Sequence, residues 1–174
     1  STKSDSFQYT NPSISNSYAP KKMTDWLNKK TKEEGDYNWG LSPHCYALSL
    51  AGSYCTEDDS ITGRRYGMTG DYNTSSTISF ANLEVLDEYL HQPDLLYNNQ
   101  VRKMFLTESG CSSYLCTLED YNRQAAYVAA AYYKCSLLDS VEAFIYYRAI
   151  DHAAELAGSM ASGLLNSNHT EKPA

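Results

Sequence analysis

Three short apolar runs recur along the chain, and each ends among polar or titratable side chains. They are Trp39–Cys45, which lies within the predicted first strand Tyr37–Tyr46, then Val101–Leu106 and Val141–Tyr147. Runs with so few polar residues are typical of strands that are covered on both faces. We therefore predict an α/β fold in which about three parallel strands alternate with covering helices, joined by right-handed crossovers.

Between these runs the apolar spacing changes to that of amphipathic helices. Helices are predicted for Met23–Gly35, for Leu83–Pro93 and for Thr117–Leu138, the last opened by a capping box of Thr117 and Asp120. The segment Asp151–Leu165 is predicted as a loop leading into a small-residue helix. Residues 1–20 are expected to form an arm or loop, residues 47–79 a long functional or disordered loop, and residues 166–174 a tail.

Composition limits the class of protein. A chain of 174 residues with 42% hydrophobic and 20% charged residues fits one globular domain. With 14 basic against 21 acidic residues the formal charge is -7, so nucleic acid is excluded as an expected partner. No apolar run approaches the roughly 18 residues of a membrane span, and no membrane partner is expected.

Three strands leave two open edges, so we expect the rest of the sheet outside this chain.

The five cysteines point to no particular site. They contain no CxxC pair of the kind that binds zinc, and their odd number leaves at least one thiol unpaired within the chain. Cys111 and Cys116 could close a small disulfide, although a free thiol is the commoner state. The compartment is left open.

The ends of the three predicted strands carry the residues that could do chemistry. Parallel strands share their carboxyl-terminal edge, so these residues should converge there: His44, Tyr46, Glu108, Arg148, Asp151 and His152. A carboxylate such as Glu108 could attack an electrophilic carbon, as in retaining glycoside hydrolysis, if a second carboxyl lay about 5 Å away. A solvated carboxylate at Glu108 and a structural salt bridge between Arg148 and Asp151 are the alternatives. No metal-ligand spacing, phosphate-binding loop or GxSxG motif is present, so no metal or cofactor is expected.

Several local motifs together resemble the C-terminal part of a clan A glycoside-hydrolase-like (β/α)8 barrel. They are EGDYNWG leading to His44-Cys45-Tyr46, then FLTESG, AAYVAAAYYK, and AFIYYRAIDH followed by Glu155. The resemblance runs from about Met23 to Leu165, within a predicted barrel portion of residues 21–165, and is strongest to an uncharacterised bacterial group. It implies that the three strands are the sixth to eighth of the barrel and that the N-terminal half of the barrel is a partner.

The resemblance also implies roles for individual residues. Glu108 falls at the nucleophile position of the seventh strand, and His44 with Tyr46 would border the sugar subsite. Four residues would lie on the eighth-strand rim as substrate-binding groups without an assigned role: Arg148, Asp151, His152 and Glu155.

This chain departs from the family pattern in ways that affect the expected function. Cys45, Ser109 and Tyr147 stand where proline, glutamine and histidine are usual. The acid/base glutamate of such enzymes comes from the fourth strand, and no matching Asn-Glu segment is present. We therefore expect a fragment of a retaining glycoside hydrolase that acts on a polysaccharide or oligosaccharide and is inactive alone. The alternatives are a non-catalytic carbohydrate-binding or scaffold barrel and a metal enzyme on the same fold.

Overall fold

The computed structural model describes residues 20–46, 68–113 and 115–173, and within them it shows a mixed α/β fold. Two strands form a parallel sheet, and helices accompany it. In chain order the elements are α1 (Pro20–Glu33), α2 (Leu83–Leu90), β1 (Met104–Ser109), α3 (Leu118–Ser136), β2 (Val141–Tyr146) and α4 (Ala153–Ala157). Short 3-10 turns cover Phe80–Asn82 and Pro93–Leu95.

The unit β1–α3–β2 is a parallel strand pair joined by a helix, as predicted. The capping box is confirmed: the Asp120 N–H donates to Thr117 Oγ1 at 3.2 Å, and the Asp120 carboxylate accepts from the Thr117 N–H at 3.2 Å. On its buried face α3 carries Gln124, Tyr127 and Ala131. This cap fixes where the helix begins and therefore how the chain crosses from β1 to β2.

Strand β1 ends later than predicted, at Ser109 rather than Leu106, so Glu108 belongs to the strand itself. The extension is held by Ser109, whose hydroxyl donates to the Cys45 carbonyl at 2.7 Å and lies 2.6 Å from the Tyr127 hydroxyl. The Ser109 carbonyl also accepts from the Tyr147 N–H at 2.8 Å. These contacts place the last residues of both strands side by side.

The first predicted strand, Tyr37–Tyr46, is not a strand in the structure; that prediction was wrong. The segment is extended and makes a single parallel bridge to β1, in which the Leu41 N–H donates to Lys103 O at 2.9 Å and the Phe105 N–H donates to Leu41 O at 2.8 Å. Pro43 has no N–H to continue the ladder. The segment nevertheless runs beside β1 in the same direction as both strands.

The buried core lies beneath β1 and is closed by α2 and α3. Helix α2, predicted from its apolar spacing, is confirmed over Leu83–Leu90 and ends before the turn that begins at Pro93. The core side chains are Phe80, Leu83, Leu86, Tyr89, Leu90, Met104, Leu106, Tyr127 and Ala131.

Arg102, just before β1, is buried and fixes the chain that leads toward the strand ends. Its guanidinium pairs with Asp36 at 2.7 Å and donates to the carbonyls of Leu95 and Tyr37, each at 2.8 Å. It also lies 4.3 Å over the ring of Trp39. A buried guanidinium needs such full pairing, and here the pairing holds the end of α1 against the sheet.

The last residues fold back onto the domain instead of extending freely as a tail. Lys172 is buried, and its Nζ lies 3.1 Å from Asp151 Oδ2 and 3.0 Å from both Ser113 Oγ and the Ala161 carbonyl. Asp151 therefore pairs with Lys172 and Arg148 pairs with Glu155, so the alternative of an Arg148–Asp151 salt bridge was wrong.

No disulfide joins Cys111 to Cys116, so that possible bond is not formed. The predictions for residues 1–19, for the loop region 47–67 and for Cys55 lie outside the described residues.

Candidate active site

Glu108 lies near the carboxyl end of β1 and meets two side chains from the extended segment. The Tyr46 hydroxyl donates to Glu108 Oε1, and His44 Nδ1 lies 3.7 Å from Glu108 Oε2. The Glu108 side chain remains 38% exposed, so one face of the carboxylate is open to an incoming molecule. Three of the predicted site residues are thus in contact.

The position of Tyr46 and His44 follows from contacts on both sides of the extended segment. Cys45, between them, is buried, and its carbonyl accepts the hydroxyl of Ser109. The Tyr46 carbonyl accepts from the Phe80 N–H at 3.2 Å. The Tyr46 N–H also donates to the His44 carbonyl at 3.1 Å, and this tight three-residue turn brings both side chains to Glu108.

A second cluster lies just past β2 and is centred on Glu155 of α4. Glu155 Oε1 accepts from the Tyr147 hydroxyl and lies 3.0 Å from Arg148 Nη1. The Arg148 guanidinium also lies 5.6 Å from the centre of the Tyr147 ring. Glu155 Oε2 is buried and has no hydrogen-bond partner among the described residues. The peptide bond between Tyr147 and Arg148 is cis.

The two clusters lie within electrostatic range of each other. Burial raises the pKa of Tyr46 well above its usual value, with further contributions from Glu108, Tyr147 and Glu155. The hydrogen bond to Glu155 raises the pKa of Tyr147, and the charge of Glu108 adds to it. Both phenols therefore stay protonated at ordinary pH and donate hydrogen bonds to their carboxylates.

Glu155 is an ionised group in this arrangement. The hydrogen bond from Tyr147 lowers the pKa of Glu155, and the Arg148 guanidinium lowers it further, while burial acts in the opposite direction. The hydrogen bond to Glu155 and the charge of that carboxylate in turn raise the pKa of Arg148. A carboxylate held ionised in this way can accept hydrogen bonds but cannot serve as a general acid.

The structure separates the remaining predicted residues from the Glu108 contacts. Asp151 is buried, and its carboxylate is engaged by Lys172 and by the Gly163 N–H at 2.7 Å. His152 is exposed directly before α4 and contributes to the lowered pKa of Glu155. Arg148 and Glu155 belong to the second cluster.

Sequence reasoning missed Tyr147 as a site residue, although it links the two clusters. One signal was available, since this tyrosine follows the apolar run of β2 at a position where the resembled family often has histidine. The contact from Tyr147 to Glu155 spans eight residues and depends on the turn into α4.

An apolar cavity of about 300 Å³ lies between α1 and the extended segment. Its walls are formed mainly by Met23, Leu41, Pro43, Ile78 and Leu86, with His44 on one side. The cavity thus adjoins the Glu108 cluster through His44, but its lining offers little polar chemistry.

Two further observations concern the described part of the chain. No group of three or more His, Cys, Asp or Glu side chains there is arranged to hold a metal ion. No helix there combines the length and hydrophobicity needed to cross a membrane.

Comparison with known proteins gives one match. No curated protein and no solved structure matches the chain. A family model matches residues 5–174, and the chain therefore belongs to that family, described as "Family of unknown function (DUF5722)".

Proposed function

We propose that the chain is the C-terminal portion of a (β/α)8 barrel and that Glu108 is the nucleophile of a retaining glycoside hydrolase. The substrate would be a polysaccharide or oligosaccharide. The observation that carries this proposal is the position of Glu108 at the carboxyl end of a parallel strand, in contact with the Tyr46 hydroxyl and near the His44 ring. Barrel enzymes keep their catalytic groups at that end of the strands.

The exposure of β2 supports the barrel part of the proposal. None of its residues is buried, and Ile145 is 53% exposed. Among the described residues no strand other than β1 pairs with β2. One face of β2 packs against the core through Val141, Phe144 and Tyr146, whereas the exposed side chain of Ile145 and the unpaired edge leave room for further sheet and helices. In the proposed barrel these come from the N-terminal half, and the three parallel segments are strands six to eight.

The chemistry assigned to Glu108 requires a second carboxyl group. One oxygen of Glu108 attacks the anomeric carbon while the glycosidic bond breaks, and the leaving oxygen takes a proton from a general acid. Water, deprotonated by the same acid/base group, then releases the sugar from the glycosyl ester. Because Glu155 is held ionised, the general acid would come from the N-terminal half of the barrel, and this chain alone would be inactive.

The test is the substitution Glu108→Gln in the intact protein that carries this chain. Loss of the nucleophile should lower kcat on the best glycan by at least about 1,000-fold, since the covalent step is removed. The melting temperature should change little, because the side chain is partly exposed. Glu119→Gln, at an exposed position of α3, is the matched control and should leave kcat unchanged. Unchanged turnover by Glu108→Gln would refute the assignment.

A carbohydrate-binding protein without catalysis is the second candidate. It needs no general acid, so it is compatible with a Glu155 carboxylate that is not a proton donor. Tyrosine side chains such as Tyr46 and Tyr147, with an apolar ring and a polar hydroxyl, also suit sugar faces. Glycan binding by the intact protein without any turnover would establish this alternative.

A further inference from the structure

We propose that Arg148, held by Glu155, forms a hydroxyl-binding subsite for an uncharged sugar next to Glu108. The inference rests on the proposed function, because it names the kind of sugar that the same site would take. It assigns different tasks to the two residues: Arg148 contacts the sugar, and Glu155 positions Arg148.

Arg148 has hydrogen-bond donors that its partners in the protein do not use. Its Nη1 lies 3.0 Å from Glu155, and its backbone is fixed by the Leu164 N–H, which donates to the Arg148 carbonyl at 3.1 Å. Its guanidinium carries five N–H groups, and Glu155 and the Tyr147 hydroxyl engage only part of them. The side chain is 33% exposed. The remaining donors are therefore fixed in place and open to a ligand with hydroxyl acceptors.

Glu155 can hold the Arg148 side chain in position but is not placed to contact the sugar. Its Oε1 takes both the Tyr147 hydroxyl and the Arg148 guanidinium, whereas its Oε2 is shielded from solvent and has no partner among the described residues. A shielded oxygen cannot reach a sugar directly. An ion pair that served stability alone would be expected to satisfy both carboxylate oxygens, because an unpaired buried acceptor costs about 1–3 kcal/mol.

The subsite adjoins the proposed nucleophile through Tyr147. The N–H of this residue donates to the Ser109 carbonyl, one residue beyond Glu108 in β1. The Tyr147 hydroxyl donates to Glu155, and the charge of Glu108 helps to raise the pKa of Tyr147. Tyr147 thus links Arg148 and Glu155 to the end of the strand that carries Glu108.

The local charge selects against acidic sugars. The charges of Arg148 and Glu155 cancel. The carboxylate of Glu108 then gives the two clusters together a net negative charge. The whole chain also carries a formal charge of -7. A sugar carboxylate would be repelled by this field, whereas hydroxyl groups can accept from Arg148 without a charge penalty.

The test compares an uncharged glycoside with its uronic acid analogue on the intact protein and on two variants. Unmodified protein should have the higher kcat/KM on the uncharged glycoside. Glu155→Gln removes one negative charge and loosens Arg148, so KM for the uncharged glycoside should rise about 10-fold while kcat changes less than about threefold. The preference should also shift toward the uronic acid. Arg148→Met removes the positive charge and should shift the preference in the opposite direction.

Glu119→Gln serves again as the matched control, because it breaks an exposed Arg–Glu pair with Arg123 on α3. It should alter neither KM nor the preference. If Glu155 only stabilised the fold, Glu155→Gln would lower the melting temperature. The two variants would then not shift the preference between the uncharged glycoside and the uronic acid in opposite directions.

The outcomes separate the two proposals. If unmodified protein neither binds nor hydrolyses any glycan, the proposed function fails and this inference fails with it. If it is active but prefers the uronic acid, or if the two variants shift the preference in the same direction or not at all, only the subsite is overturned. The preference of the unmodified protein decides the question even if a variant does not fold.

Discussion

At the scale of single residues, the hydrogen bond from Tyr46 to Glu108 is the contact that most directly affects the proposed chemistry. Its phenol stays protonated because burial and the neighbouring carboxylates raise the pKa of Tyr46. A neutral donor to an ionised acceptor contributes about 1.5–3 kcal/mol. In the proposed site this bond orients one carboxylate oxygen and leaves the other for attack.

Tyr46→Phe removes this bond and keeps the ring. We expect kcat/KM of the intact protein on its best glycan to fall by about 10- to 100-fold and the melting temperature to fall by roughly 3–12 °C, because the bond also stabilises the fold. Tyr132→Phe is the control, since Tyr132 is 75% exposed on α3. Equal activity of Tyr46→Phe and the unmodified protein would show that the contact has no part in turnover.

Part of this residue-level picture could be predicted from the sequence. His44 and Tyr46 are two residues apart in a predicted strand, and Glu108 follows an apolar strand, so the parallel arrangement alone predicted their meeting. The partner of Arg148 could not be predicted in this way. Asp151 is taken by Lys172, which lies 21 residues further along the chain, and no local pattern encodes that contact.

At the scale of elements, the cap of α3 links the sequence pattern to the geometry of the sheet. The Asp120 carboxylate accepts from the N–H groups of Thr117 and Leu115 at 3.2 Å each and from the Thr117 hydroxyl at 2.7 Å. The hydroxyl contact is the main reason that the pKa of Asp120 is lowered, against the opposing effect of burial.

Asp120→Ala should therefore destabilise the protein in a pH-dependent way. The loss should be about 1–2 kcal/mol at pH 7, as for other N-terminal cap substitutions. Since the folded-state pKa of Asp120 lies below its unfolded value of about 3.9, the stabilisation is complete above that value and disappears as pH falls through the lowered pKa. Urea unfolding between pH 2 and 7 should show a shallower acid slope for the variant. Glu119→Ala, at an exposed neighbouring position, should keep the original slope.

The elements with strong local signals were the ones that sequence reasoning predicted correctly. Helix α3 has a capping box, α2 has a clear apolar repeat, and β2 is an apolar run interrupted only by Glu142. The segment Tyr37–Tyr46 has the composition of a strand, but Pro43 limits it to a single bridge. The extra length of β1 depends on long-range hydrogen bonds of Ser109, which no pattern within the strand reveals.

At the scale of the whole molecule, two features explain how the site is held and why more sheet is proposed. Lys172 anchors residues 166–173 against the interior beside Asp151, so the chain past the second cluster is fixed. Strand β2, by contrast, exposes Ile145 and pairs with β1 alone among the described residues. In the proposed barrel this bare side is covered by the half that supplies the general acid.

The most direct test of the account is covalent trapping of the nucleophile in the intact protein that carries this chain. A 2-deoxy-2-fluoro glycoside with a good leaving group slows release of the glycosyl ester, so that mass spectrometry of peptides can locate the sugar. The account predicts one added sugar on the peptide containing Glu108, and no addition in Glu108→Gln. Turnover of the parent glycan with inverted configuration, or a sugar attached to any other residue, would contradict it.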